Sequence, residues 1–384
     1  AILFSQTGSF VIAVVLLALL FMGLPSYWAI QGATLQEVVP NHLRGRVASI
    51  GPALVGFYPL GSVISGTLAE RFGAHFQIVA ISDLLKGSCH HPDGLPIPDL
   101  LAAVRENDSV SAVAAPHRVW DSLRTINESN ADIVIEISYT DLETGEPALT
   151  HIRAALQAGK HVVTTNKGPT ALHFPELLAL ARNNSVKIGV EGTVMSGTPA
   201  LTVGMEMLVG ANVKRVEGIL NGTTNYILTQ MESGADYADA LAEAQQKGYA
   251  EADPSGDVEG HDAAGKVVIL ANLLMDLPLT MEDVSCEGIT RLTADDVSTA
   301  TEAGERWKLI GAVEKTATGF TASVKPQRIP HSHPLASIGG ATNAITYTTE
   351  LLGDVTLVGP GAGRVETGYA LLEDMLAIHR NRMA

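Results

Sequence analysis

The hydrophobic pattern changes character along the chain. Residues 10–24 are apolar apart from Gly23, and no charged residue falls between Gly8 and Ile30. About 20 apolar residues span a bilayer core, so this run predicts a transmembrane-like helix. A signal peptide is the rival reading. It is disfavoured because no basic stretch precedes the run and the first residue is Ala1 rather than Met. Residues 50–68 form a second uncharged, glycine-rich stretch, separated from the first by the short basic turn at 40–46.

From Phe76 onward, short apolar runs alternate with amphipathic stretches. Residues 77–83, 132–138, 161–165 and 186–190 read as buried parallel strands. Residues 100–105, 121–128, 147–158 and 174–183 read as helices, with Pro147 suited to a first turn and Gly159 to a stop. This alternation predicts an α/β fold with a doubly wound, Rossmann-like parallel sheet. Ligands of such sheets sit at the carboxyl ends of strands, where Asp83, Ser138, Lys167 and Glu191 fall. Beyond residue 200 the pattern differs. Strands at 213–220, 321–328, 344–351 and 355–358, with helices at 238–248, 263–274 and 367–379, predict a separate α+β domain.

Composition sharpens the division. The chain has 384 residues, 25 Lys+Arg against 41 Asp+Glu, and a net charge of −16. Residues 1–75 hold only Glu37, Arg44, Arg46, Glu70 and Arg71, so almost all the negative charge lies beyond them. That balance excludes a general nucleic-acid binder, which presents a basic face to phosphate. Two cysteines, Cys89 and Cys286, make no disulfide scaffold and suit a reducing compartment.

The densest chemistry lies at 248–266. Five carboxylates (Glu251, Asp253, Asp257, Glu259 and Asp262) precede an apolar helix, and Asp262 and Lys266 share a helix face. The bland reading is a solvated acidic loop capping a helix. Against it, Pro254, Gly256 and Gly260 shape the loop, and a lysine beside carboxylates in a cleft can carry a proton. Lys167, in Asn166-Lys167-Gly168-Pro169, points into the crevice after a strand; the alternative is a surface turn. Gly359-Pro360-Gly361-Ala362-Gly363, between strand and helix, suits an anion or a plain tight turn. In Asn221-Gly222-Thr223-Thr224-Asn225-Tyr226, Thr223 or Thr224 is the expected helix cap. Cys89-His90-His91 and His331-Ser332-His333 have no second pair at zinc-finger spacing.

Together these stretches resemble homoserine dehydrogenase, from about Phe76 to Arg380. The carrying motifs are Thr165 to Pro169, Gly218 to Leu228, and Gly248 to Pro254 through Asp262 and Lys266. The resemblance implies interconversion of L-homoserine and L-aspartate 4-semialdehyde with NAD or NADP. It implies Lys266 as proton donor and acceptor, Lys167 fixing substrate and cofactor, and Glu251, Asp262, Asp257 and Tyr249 holding the substrate. Ser138 and Gly363 match cofactor contacts. Asp83 could meet a ribose hydroxyl and Lys86 a 2′-phosphate. A monovalent cation, sodium, is implied at Glu191 and the backbone oxygens of Val194, Ser196 and Thr198. A cytoplasmic homodimer acting on a small molecule is also implied.

The N-terminal part departs from that family. Pro40, 43–47, 59–61 and 66–73 resemble a helix-loop-helix of major facilitator transporters. Gly56, Gly61 and Gly66 are spaced five apart around Pro59 and do not form the Gly-x-Gly-x-x-Gly turn that cradles a pyrophosphate. The expected organisation is an apolar membrane-like segment at 1–75 and a dinucleotide-binding domain at 76–190, truncated by its first strand and glycine loop. A substrate and dimerisation domain follows at 191–345, and a C-terminal return to the first domain at 346–384. This truncation implies weak or absent cofactor binding. The alternative function is a membrane-tethered fusion or an inactive chimera.

Overall fold

A computed structural model describes residues 73–382. The apolar run at 10–24 and all but the end of the transporter-like pattern lie outside the described residues. Among the described residues no helix is long and apolar enough to cross a membrane.

The first described unit opens with a hairpin, β1 (Ala80–Asp83) against β2 (Gly87–His90). Helices α1 (Ile97–Asn107) and α2 (Ser122–Glu128) follow. Strands β3 (Ile133–Glu136), β4 (His161–Thr164) and β5 (Ile188–Gly189) form a parallel sheet in the order β3-β4-β5. Their crossovers are α3 (Ala148–Gln157) and α4 (Lys167–Asn183). Burying both faces of this sheet leaves strands that read as unbroken apolar runs; all four residues of β4 are buried.

One expectation fails here. The strand predicted at 77–83 does not join the parallel sheet: β1 pairs antiparallel with β2. The cause is the tight turn between them. Asp83 Oδ1 accepts from the N–H of Leu85 and of Lys86, both at 2.7 Å, which reverses the chain within three residues.

The second unit is a six-stranded mixed sheet ordered β11-β10-β6-β8-β9-β7. Its strands are β6 (Val213–Ile219), β7 (Ser285–Cys286), β8 (Glu305–Thr316), β9 (Gly319–Pro330), β10 (Thr342–Thr349) and β11 (Gly353–Pro360). Helices α5 (Gly222–Glu232), α6 (Tyr237–Gln246), α7 (His261–Leu274) and α8 (Ala294–Glu302) interleave with them. The parallel sheet and the mixed sheet make this an α/β fold. The last helix, α9 (Arg364–Arg382), returns to the parallel sheet, where Leu371, Met375 and Ile378 pack with Val163, Ile133 and Ile135.

Helix α7 joins the two units. Residues 263–271 are buried without interruption, and Ala264, Val267 and Val268 share a core cluster with Ala171 and Phe174 of α4 and with Val313 and Val324 of the mixed sheet. The Asn272 side-chain amide donates to the Ala171 carbonyl at 3.2 Å, tying α7 to α4. That packing brings the first turns of the two helices together.

Candidate active site

A local turn at a helix start places each of the charged side chains. Asn166 ends β4 and starts α4: its Oδ1 accepts from Gly168 N–H at 3.1 Å, while its Nδ2 donates to the carbonyls of Ser138 and Tyr139 at 3.2 and 3.0 Å. Lys167 is thereby the first residue of α4, beside the end of β3. Gly168 has to be glycine, because a Cβ there would overlap the Asp141 carbonyl oxygen. On the other side Gly260, at φ +89°, turns the chain into α7. Asp262 then lies in the first turn and Lys266 one turn later.

These elements converge on one carboxylate. Asp262 Oδ1 lies 3.0 Å from Lys167 Nζ, and Oδ2 lies 2.8 Å from Lys266 Nζ. Lys266, 6% exposed, also donates to the Leu220 carbonyl at 2.7 Å. Asn221 Nδ2 bridges Asp257 Oδ1 at 2.7 Å and Asp262 Oδ2 at 3.1 Å. Asn221 is also the cap of α5, its Oδ1 accepting from Thr224 N–H at 2.9 Å. The expected cap at Thr223 or Thr224 is therefore corrected. A residue ahead of the first turn, with extended backbone, is the one whose side chain reaches the free N–H groups. Asn between a strand and a helix was the available signal, and its second role as a bridge between two carboxylates carries no local signature.

Burial alone would push the Asp262 carboxyl up. The ammonium groups of Lys167 and Lys266 outweigh it and hold that carboxyl far below the usual carboxylate range. In return the Asp262 charge outweighs burial of Lys167 and raises that ammonium above the ordinary lysine value. Asp257 is raised, by burial first and then by the charge of Asp262.

The remaining site residues divide. Tyr249 borders the cluster: its carbonyl accepts from Thr223 Oγ1 at 2.6 Å and its ring tilts against Tyr226 with centroids 4.9 Å apart. Glu251 is exposed, and its side chain enters no hydrogen bond or ion pair of the cluster among the described residues. Ser138 lies just past β3, and its hydroxyl is buried without a partner in the protein. An unpaired hydroxyl at the carboxyl end of a parallel strand fits a dinucleotide. Gly363 has φ +135° and precedes α9, its carbonyl accepting from Thr367 N–H at 2.8 Å. Asp83 does not share this pocket by topology, because β1 lies outside the parallel sheet and the carboxylate is spent on its own turn. Lys86 pairs with Asp108.

Glu191 turns its carboxylate to the N–H groups of Leu201 and Thr202, at 2.9 and 2.7 Å, and to the Thr202 hydroxyl at 2.5 Å. Val194 is buried, Ser196 Oγ meets Thr367 Oγ1 at 2.9 Å, and Thr198 Oγ1 donates to the Pro360 carbonyl at 3.0 Å. A cation at this segment would rest on main-chain oxygens, with Glu191 already engaged. Sequence reasoning also gave no role to Glu136. It is buried at the end of β3 and accepts from Ser138 N–H at 3.1 Å and Thr164 Oγ1 at 3.5 Å, so it fixes the segment carrying Ser138 against the end of β4.

The homoserine dehydrogenase family model matches residues 199–376. The chain is 48% identical over 340 residues to the NAD(+)-dependent homoserine dehydrogenase of Pseudomonas canavaninivorans, covering 86% of this chain and 96% of that protein. The chain belongs to the homoserine dehydrogenase family. The homoserine dehydrogenase of Methanocaldococcus jannaschii is 37% identical over 335 residues, spanning 98% of its length. Two solved structures agree. One, from Archaeoglobus fulgidus and assigned to the homoserine dehydrogenases, has a TM-score of 0.75 at 34% identity and covers 83% of this chain and 95% of that one. A hyperthermophilic archaeal homoserine dehydrogenase mutant in complex with NADPH has a TM-score of 0.72 at 29% identity, covering 84% and 94%. The Pseudomonas likeness takes in more of the chain than residues 76–384 can supply, so the family resemblance reaches upstream of Phe76. It spans 96% of the Pseudomonas protein and 98% of the Methanocaldococcus protein and does not favour the fusion or chimera reading.

Proposed function

We propose that this chain catalyses the NAD(P)-linked interconversion of L-homoserine and L-aspartate 4-semialdehyde, a step of threonine, methionine and isoleucine biosynthesis. The observation that carries this reading is the pair of lysines on one carboxylate, Lys167–Asp262–Lys266, at the seam between the parallel sheet and the mixed sheet.

Oxidation takes a hydride from C4 of homoserine and a proton from its hydroxyl. When bound, the nicotinamide supplies the hydride acceptor. Lys266 is the proton acceptor and donor at that hydroxyl, and Asp262 stabilises its ammonium form. Lys167, held positive by Asp262, fixes substrate and cofactor by charge. Asp257, Glu251 and Tyr249 receive the amino-acid end, because the homoserine ammonium seeks carboxylates; Glu251 joins them when substrate is bound. Ser138 and Gly363 hold the cofactor. The NAD(+) dependence of the Pseudomonas relative and the NADPH of the archaeal structure support this cofactor class. Backbone oxygens of Val194, Ser196 and Thr198 beside Glu191 would hold a sodium ion. The working form in this reading is a cytoplasmic homodimer, with 76–190 and 346–384 serving the dinucleotide and 191–345 serving substrate and dimerisation.

The test is hydride transfer from deuterated NADH and NADPH to L-aspartate 4-semialdehyde by the full chain. Deuterium at C4 of the homoserine formed is expected. Loss of semialdehyde without deuterated homoserine would refute the reading.

A further inference from the structure

Asn343 is 0% exposed in β10, and both atoms of its carboxamide are buried with no hydrogen-bond partner in the protein. Buried polar atoms are nearly always paired, so an amide with donor and acceptor both idle calls for a cause. Its surroundings supply one. A Cβ on Gly361 would overlap the Asn343 Nδ2 and Cγ, and a Cβ on Gly222 would come within 3.3 Å of its Oδ1. The amide is therefore wedged between two glycines. Gly222 opens α5, one residue beyond the Asn221 that binds Asp257 and Asp262. Gly361 lies in the turn between β11 and α9, the helix that packs back on the parallel sheet.

The two sides of the wedge differ in freedom. On the α5 side, Asn225 Nδ2 donates to the carbonyls of Ile338, Gly340 and Thr342, so the approach to β10 is pinned. On the other side, residues 359–363 contain three glycines, and Gly363 sits at φ +135°. Small rotations there would turn a peptide group onto the idle amide.

We infer that Asn343 is a positioning residue whose carboxamide, wedged unpaired between Gly222 and Gly361, takes backbone partners from residues 359–363 when that turn closes on the bound dinucleotide. It would link cofactor binding to the helix start that organises Asp257 and Asp262. This rests on the dinucleotide-dependent reading above.

The test compares the wild-type full chain with Asn343→Leu, which keeps the shape and removes the polar atoms. Without ligand the variant is expected to melt about 2 °C higher, because no paired group is lost. Its affinity for NADH or NADPH is expected to fall about tenfold or more. Its kcat, at saturating homoserine and dinucleotide, should fall as well. Hydrogen exchange at 359–363 should slow on dinucleotide binding in the wild type and not in the variant. A variant that melts lower and binds both dinucleotides normally overturns the inference alone. Should the variant not fold, the wild-type exchange measurement decides, and a turn whose exchange ignores the dinucleotide overturns the inference. A wild type that binds neither NADH nor NADPH overturns the dehydrogenase reading and this inference with it.

Discussion

The Lys167 ammonium and the Asp262 carboxylate meet at 3.0 Å, one on the first residue of α4 and the other in the first turn of α7. Neither helix makes this contact by itself. The shared core of Ala171, Phe174, Ala264 and Val268 sets the distance. In the proposed mechanism this ion pair, built on a packed seam, both serves catalysis and holds the two units in register.

Replacing Asp262 tests both roles. Asp262→Asn leaves two lysines facing each other without a counter-charge. Removing one partner of a largely buried pair costs roughly 3 kcal/mol, and kcat/KM should fall by about 100-fold or more. The sign with pH also follows. The folded Asp262 carboxyl lies below its unfolded value, so its stabilisation is complete above about pH 4 and fades as pH falls below that. Thermal melts between pH 2 and 6 should show this acid loss in the wild type and a weaker one in the variant. Superimposable melting curves would contradict it.

Gly168→Ala probes placement without touching a charge. Its Cβ would drive into the Asp141 carbonyl oxygen and displace the turn carrying Lys167. Overpacking of this kind costs about 1–3 kcal/mol. A lower melting temperature with a raised homoserine KM is the expected result; an unchanged KM would mean that Lys167 does not depend on this turn.

Asp374 carries a pH dependence of opposite sign. Burial pushes its carboxyl up to about 8, only partly offset by the hydrogen bond from Glu191 N–H. A carboxyl whose folded value lies above its unfolded one weakens the fold as pH rises between the two. Stability from this group should therefore fall from about pH 4 to 8. Asp374→Asn should flatten that slope and raise the melting temperature most near pH 8. A variant less stable than the wild type at pH 8 would show that the carboxylate is needed there in its charged form.

How legible these features were depends on whether the cause is local. The apolar strand at 161–165 ending in Asn166-Lys167 was readable, because β4 is buried on both faces and its helix follows at once. The Asp262–Lys266 pair was readable from helical spacing alone. Strand β8 was not, because a fully buried Lys308 interrupts its apolar pattern. That lysine is accommodated by Asn225 Oδ1 and the Ile338 carbonyl, both distant in sequence. An apolar run ending in an acid looks alike in a parallel strand and in a hairpin, so β1 was misplaced and Asp83 with it. Glu251 came with the motif and stands apart from the cluster among the described residues, because its loop leaves it exposed. Asn343 gave no signal at all, since its significance lies in two glycines contributed by other elements.

The central claim is that Lys266 moves the proton in a homoserine-dependent hydride transfer. The most direct measurement is L-homoserine-dependent reduction of NAD+ and NADP+ by the purified full chain beside Lys266→Ala, with melting curves for both. Turnover by the wild type is expected, with a loss of about 100- to 10,000-fold in kcat for a variant that remains folded. A folded Lys266→Ala chain that keeps the wild-type rate would contradict it.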